Sequence, residues 1–272
     1  MKSLFNVSSL MFVHDFNSII INIGPIAIRW YSLAYIFGIF FGLYYGKYLI
    51  RSLNNKFNIS EKNLDDYIIW SVISIIIGGR LGYVFFYNFK YYIQNPVEII
   101  MVWNGGMSFH GGLLGIVISS LFFSKKNNVS FWSLTDLLAC ISPIGIFLGR
   151  IANFINAELV GKTSDVPWSF IFPKYDNKPR HPSQLYEAFL EGILLFVLLN
   201  FLIRKIDYEK GKISILFLIF YSFFRMIGEF FREPDQHLGY LMFGLSMGSI
   251  LSLLAIIIGF IALIILKKND YK

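Results

Sequence analysis

Residues 213–232 read Ile-Ser-Ile-Leu-Phe-Leu-Ile-Phe-Tyr-Ser-Phe-Phe-Arg-Met-Ile-Gly-Glu-Phe-Phe-Arg. No charge interrupts this run before Arg225. At ~1.5 Å per helical residue the stretch reaches about 28 Å, close to the hydrocarbon thickness of a bilayer. A helix is the form that satisfies a backbone in that medium. On a helix Tyr221, Arg225, Glu229 and Arg232 stand at i, i+4, i+8 and i+11, so one face of a lipid-length segment carries a polar stripe. The stretch therefore predicts both a membrane span and a place on it where chemistry sits.

Six further apolar runs extend the pattern, near Ile26–Ile50, Asp66–Tyr87, Ser108–Phe123, Trp132–Phe154, Gln184–Ile203 and Tyr240–Leu266. The expectation is an all-α polytopic membrane protein of about seven helices, organised as a single integral-membrane domain over residues 1–272. Composition agrees. The 272 residues are 56% hydrophobic and 15% charged, against roughly 25% charged in soluble domains, and mean hydropathy is +0.59. These values exclude a disordered chain and an ordinary soluble enzyme. No alternating ten-residue pattern suggests a barrel.

Net charge is +7, and its distribution predicts orientation. With the N-terminus outside, the inner segments hold Lys47, Arg51, Lys56, Lys62, Lys125, Lys126, Arg204, Lys205, Lys210, Lys212, Lys267, Lys268 and Lys272. The short outer segments hold only Lys2, Arg29, Lys90 and Arg232. The positive-inside rule then gives N-out and C-in. The basic balance is read as membrane topology, with no nucleic-acid partner expected. One outer segment, 155–183, is long and contains Pro167, Pro173, Pro179 and Pro182, which suggests an ordered extramembrane arm. Residues 1–25 lack a basic n-region and a cleavage site and read as mature chain. A single cysteine, Cys140, excludes an intrachain disulfide.

Three arginines, Arg80, Arg150 and Arg225, fall inside the expected spans, where a charge costs ~2.5–3.5 kcal/mol or more. In the assigned orientation they lie in the outer leaflet. Tyr31, His110, Gln184, Glu187, Glu229 and Arg232 join them there, while the inner helix halves are almost wholly apolar. Arginines outnumber acids in this count. A guanidinium in low dielectric seeks an anion, and its fork matches phosphate oxygens. Phospholipid headgroups are the anions of that leaflet, so the residues predict a polar cavity for an anionic phospholipid. The four histidines, His14, His110, His181 and His237, lack metal-ligand spacing, and no metal or cofactor is expected. Nucleotide loops and a nucleophile elbow are absent from the sequence.

Gly149-Arg150-Ile151-Ala152-Asn153-Phe154-Ile155-Asn156-Ala157-Glu158-Leu159-Val160-Gly161 resembles the signature of the bacterial prolipoprotein diacylglyceryl transferases. Five other segments resemble the family in order: Arg29–Tyr31, Gly78–Tyr83, Ser108–Gly112, His181–Ala188 and Arg225–Asp235. Ser222 and Ser249 depart from the usual Gly and Gln. The resemblance implies transfer of the diacylglyceryl group of phosphatidylglycerol to the thiol of a lipobox cysteine in a preprolipoprotein. A thioether forms, glycerol phosphate leaves, and neither ATP nor a cofactor is required. It implies a seven-spanning fold in the bacterial cytoplasmic (inner) membrane, with the site toward the outer face.

Chemical roles follow from that reaction. The thiol, with pKa ~8.5, must become thiolate, and the departing phosphate gains charge that fixed cations stabilise. Arg150 and Arg225 are the expected phosphate clamp, and His110 the expected general base or thiol orienter. Tyr31, Asn153 and Tyr221 are expected hydrogen-bond donors to the headgroup, with Arg80 and Gly161 in the lipid-binding set. Glu158 and Glu229 are expected to orient arginines, and Arg232 to gate or select lipid. The residues alone leave other readings open: a transporter or flippase of an anionic lipid or solute, another phospholipid-headgroup enzyme, or a non-catalytic scaffold.

Overall fold

A computed structural model describes residues 12–23, 26–53, 56–234, 239–241 and 244–269. Lys2, Asp235, His237 and Lys272 lie outside the described residues. The fold is predominantly helical. In order it comprises β1 (Phe12–Val13), β2 (Ile19–Ile23), β3 (Ile26–Arg29), α1 (Trp30–Ser52), α2 (Glu61–Phe86), α3 (Phe89–Gln94), α4 (Phe109–Asn127) and α5 (Phe131–Asn156). There follow β4 (Phe170–Ile171), β5 (Pro179–Arg180), α6 (Ser183–Glu187), a π-helical segment Ala188–Leu194, α7 (Leu195–Lys205), α8 (Lys212–Phe231) and α9 (Met247–Asn269). Among the described residues six helical segments are long and apolar enough to cross a membrane: α1, α2, α5, the continuous α6–π–α7 rod, α8 and α9. The expected third span coincides with α4, which is not one of those six; His110 and its glycines dilute its start and Lys125 and Lys126 its end.

Two expected boundaries move. Ile26–Arg29 forms β3, paired antiparallel with β2, before α1 begins at Trp30. Alternating β-branched residues suit a strand as well as an apolar run. The last helix starts at Met247 rather than near Tyr240. Gly239 and Gly244 take φ of 59° and 70°, values no helix accommodates, and Ser246 accepts from the Ser249 N–H at 3.1 Å as an N-cap.

The chain divides into two compact units, residues 45–138 and residues 1–44 with 139–272. In the first, α2 and α4 pack backbone to backbone. A Cβ on Gly78 would sit 2.4 Å from the Gly111 carbonyl oxygen, and one on Gly111 would sit 2.3 Å from that of Gly78. Small residues here allow the close approach that replaces the missing hydrophobic drive in lipid. Hydroxyls add bonds between the two helices, Tyr67 to Ser120 at 2.6 Å and Ser74 to Ser119 at 3.1 Å. The start of α2 is fixed by a Ser60–Asn63 capping box.

In the second unit α5, the α6–π–α7 rod, α8 and α9 carry the polar residues described below. Asn200 on α7 donates to the Cys140 carbonyl of α5 at 3.0 Å. Outside the helices, β1, β4 and β5 form a small sheet in that order. It covers a core of Phe154, Ala157, Val160 and Phe172. His14 is buried there, its Nε2 donating to the Phe154 carbonyl at 2.7 Å, and burial among rings lowers its pKa. Arg180 binds the 155–183 segment together. Its guanidinium pairs with Asp176 at 2.6 Å and Glu233 at 3.0 Å, donates to the Gly161 carbonyl at 2.8 Å, and lies over the Tyr175 ring. Arg180 in turn holds the Asp176 carboxyl below its ordinary range.

Candidate active site

The second unit brings Arg150, Arg225 and Arg232 together around buried glutamates. Arg150 comes from the last turns of α5, Arg225 from α8, and Arg232 from the residue closing α8. Glu187 ends α6 and Glu191 lies in the π-helical segment; both side chains are fully buried. Arg150 donates through Nε and Nη2 to Glu191 Oε2, at 3.0 and 2.7 Å, and its Nη1 lies 2.9 Å from Glu187 Oε2. Arg225 Nη1 donates to Glu187 Oε1 at 2.6 Å, and its Nη2 pairs with Glu229 one turn on. Arg232 Nη1 approaches Glu187 Oε1 at 3.7 Å and Glu229 Oε1 at 4.0 Å. Ser246 donates to the far oxygen of Glu229 at 2.7 Å and contacts Ser249 at 3.1 Å, so the departing Ser249 joins the edge of the network.

Glu187 is the hub, with an arginine from α5 and one from α8 on its two oxygens. Such a constellation is expensive: effective desolvation costs several kcal/mol per ion. In a lipid-length bundle, buried ionisable groups of this kind mark function. Local geometry serves the cluster. The π-helical turn carries Glu191 inward beside Glu187, and such turns recur at functional sites. Gly228 gives Glu187 room against α8, where an added Cβ would lie 3.0 Å from Glu187 Cγ.

The expected excess of arginine is corrected here. Three guanidiniums meet three carboxylates, Glu187, Glu191 and Glu229. Glu191 is the site residue that sequence reasoning missed, and Glu187 was read only as a polar group at a span end. A signal was present: two glutamates at i and i+4 inside a lipid-length run are too costly to leave unpaired.

Other expected residues take varied places. Asn153 is buried one turn after Arg150, its Oδ1 without a hydrogen-bond partner. Its carbonyl accepts from the Glu158 N–H while Phe154 accepts from Ala157, both at 3.0 Å, a Schellman closure of α5. Ala157 occupies its left-handed position, φ 58°, and Leu159 is also left-handed at 54°. That turn throws Val160–Gly161 against the end of α8, where Gly161 bridges Arg232. A Cβ there would meet the His181 carbonyl at 2.3 Å, the physical reason for glycine in the signature. Tyr221 stacks on Phe217 with centroids 5.7 Å apart, and Tyr31 lies 5.3 Å from Tyr35. Glu158 is exposed and accepts from Asn156 at 3.4 Å rather than from an arginine.

Arg80 belongs to the first unit, where its contacts run to the backbone. Four of its five N–H groups reach backbone carbonyls: Ile99 at 2.9 Å, Glu98 at 2.6 Å, Gly106 at 3.2 Å, and Gly105. Its fork shapes the loop between α2 and α4. Arg80 is also only 3% exposed. His110 is in the same unit, exposed on the first turn of α4 with its ring 5.7 Å from Phe109.

Residues 18–265 match the family described as prolipoprotein diacylglyceryl transferase. The chain is similar to proteins named phosphatidylglycerol–prolipoprotein diacylglyceryl transferase from several bacteria. That of Nitrobacter winogradskyi is 50% identical over 250 residues, 90% of this chain and 86% of the relative. That of Rickettsia canadensis is 49% identical over 251 residues, 92% and 96% of the two chains. That of Rhodospirillum rubrum is 46% identical over 253 residues, 92% of each.

Proposed function

This chain belongs to the prolipoprotein diacylglyceryl transferase family, and we propose from that membership and from the arginine–glutamate cluster how it works. It is a multi-pass membrane transferase that moves the diacylglyceryl group of phosphatidylglycerol to the cysteine thiol of a prolipoprotein. The thiolate sulfur attacks the glyceryl carbon bonded to phosphate oxygen. A C–S bond forms, the C–O bond breaks, and its electron pair leaves with glycerol phosphate. Convergence of Arg150, Arg225 and Arg232 on the one buried carboxylate of Glu187 is the observation that carries the assignment of the phosphate site.

Phosphate meets the forks of Arg150 and Arg225 as they do carboxylate in Glu187 and Glu191, through charge-assisted bonds in low dielectric. Charge grows on that phosphate as the C–O bond lengthens, and preorganised donors are worth ~3–4 kcal/mol each at that point. Glu187 is the positioning residue: one carboxylate between two guanidiniums lets like charges share a site. Glu229 holds Arg225, and Arg232 closes the edge nearest the signature turn, where it selects lipid. Tyr31, Asn153 and Tyr221 supply hydrogen bonds to the headgroup, with the unpartnered Asn153 Oδ1 suited to a glycerol hydroxyl. His110 takes the thiol proton. The same reading places the chain N-out and C-in in the bacterial inner membrane, with the cluster toward the outer face, because the basic residues divide that way.

The test is purified protein in lipid vesicles with labelled phosphatidylglycerol and a peptide carrying a lipobox cysteine. The expected result is a diacylglyceryl mass increase on that cysteine with release of glycerol phosphate. Transport of an anionic lipid without any change in the peptide would replace this reading with the flippase alternative.

A further inference from the structure

A hollow in the same unit lies beside the ionic cluster, and it is apolar. It is an open groove of about 540 Å³, lined by Trp168, His181, Tyr186, Phe189, Leu190 and Phe231. Tyr186, Phe189 and Leu190 share one helical face, at i, i+3 and i+4. Glu187 and Glu191 are each the next residue along, about 100° around the same rod. Phe231 immediately precedes Arg232, and its ring lies 5.3 Å from those of His181 and Tyr186. The hollow and the cluster are thus two faces of the same short stretch of helix.

The hollow has one organised polar element. Trp168 Nε1–H donates to the Tyr186 hydroxyl at 2.6 Å, and that hydroxyl is 3.2 Å from His181 Nδ1. With the tyrosine oxygen accepting from tryptophan, its own proton goes to Nδ1, and the histidine proton is left on Nε2. Burial and Lys162 lower the His181 pKa. An apolar recess whose wall includes one N–H donor fits an apolar side chain next to a backbone carbonyl.

We propose that this hollow seats an apolar side chain of the prolipoprotein peptide, placing the acceptor cysteine at the arginine cluster. The proposal rests on the transfer reaction assigned above. Two observations favour a peptide over an acyl tail. Trp168 and His181 come from non-helical backbone on either side of β4 and β5, which cannot face lipid and so meets water or protein. Acyl tails also need no protein recess, because the bilayer already solvates them. Distance sets the register: about 100° around a helix ~10–12 Å wide is roughly 8–10 Å, which two or three extended residues span. The seated side chain is therefore two or three residues from the cysteine.

The test uses full-length protein in vesicles and a lipobox peptide with a photoreactive leucine three residues before its cysteine. The expected adducts map to Trp168, Tyr186 or Phe231. Val166→Trp, which fills the hollow from the loop side, should raise the peptide KM about tenfold or more, the range for a lost apolar fit, and leave the phosphatidylglycerol KM unchanged. His181→Phe, which keeps the ring and removes the donor, should also raise peptide KM alone. Photoreactive acyl chains of phosphatidylglycerol labelling the hollow in place of the peptide would overturn the proposal. So would peptide adducts elsewhere alongside normal transfer. Failure of the parent protein to modify any peptide would instead overturn the reaction itself, so the two failures are distinct. The labelling uses unaltered protein and stands even where a variant does not fold.

Discussion

Replacing Glu187 by Gln removes one charge from the centre of the cluster and almost no volume. In the structure that carboxylate lies 2.9 Å from Arg150 Nη1 and 2.6 Å from Arg225 Nη1. Unit charges centred about 4 Å apart interact by about 4 kcal/mol at an effective dielectric near 20, and desolvation of the carboxylate offsets several kcal/mol of the total. Breaking a buried pair by removing one partner costs about 3–5 kcal/mol, because the remaining charge is uncompensated. Glu191 and Glu229 still hold the outer nitrogens, so the lower end applies. A loss of about 3 kcal/mol in transition-state positioning is roughly two orders of magnitude in rate. We expect Glu187→Gln to lower the apparent melting temperature in detergent. Below that temperature it should cut kcat for diacylglyceryl transfer about a hundredfold. Glu187→Asp, which keeps the charge but shortens the reach, should recover part of the melting temperature and less of the rate. Transfer within twofold of the parent together with unchanged melting would refute Glu187 as the hub.

Arg150→Lys should lose at least tenfold in transfer, because a point charge cannot bind Glu191 and Glu187 through separate nitrogens; near-normal turnover would remove the fork from the argument. His110→Ala should lower turnover by at least tenfold, since a positioned base contributes about 10²–10⁴-fold, and full turnover would assign the proton to another group. Gly78→Ala should destabilise the protein by about 1–3 kcal/mol through overpacking, because its methyl would stand 2.4 Å from a backbone oxygen that no side-chain motion can clear; an unchanged melting temperature would contradict the close α2–α4 approach. Asp176 has its folded pKa lowered by Arg180, so it contributes stability above its unfolded value of ~3.9 that is lost as pH falls through the depressed folded value. Acid should therefore loosen the 155–183 segment, read by Trp168 fluorescence, and Asp176→Asn should weaken that pH dependence.

The helical spans were legible in the sequence because lipid imposes a length and a composition, and both are local properties. Each of the seven expected runs overlaps a helix of the fold, and two of those helices begin later than expected, where glycine or alternating isoleucine changes the local backbone. The reaction was legible through Gly149–Gly161 and the five companion segments. The left-handed turn at Ala157 and the crowding of Gly161 supply physical reasons for parts of that pattern. Periodicity also placed Tyr221, Arg225, Glu229 and Arg232 on one face.

Periodicity could not say what that face meets. Arg225 finds Glu187 across 38 residues of chain and Arg150 finds Glu191 across 41, and no local rule encodes such pairings. For the same reason Arg80 reads like Arg150 in sequence, a lone arginine beside glycines in an apolar run. Tertiary structure gave one a set of backbone carbonyls and the other two buried carboxylates. Burial makes each charge demand a partner, but which partner is available depends on where helices distant in sequence come to rest.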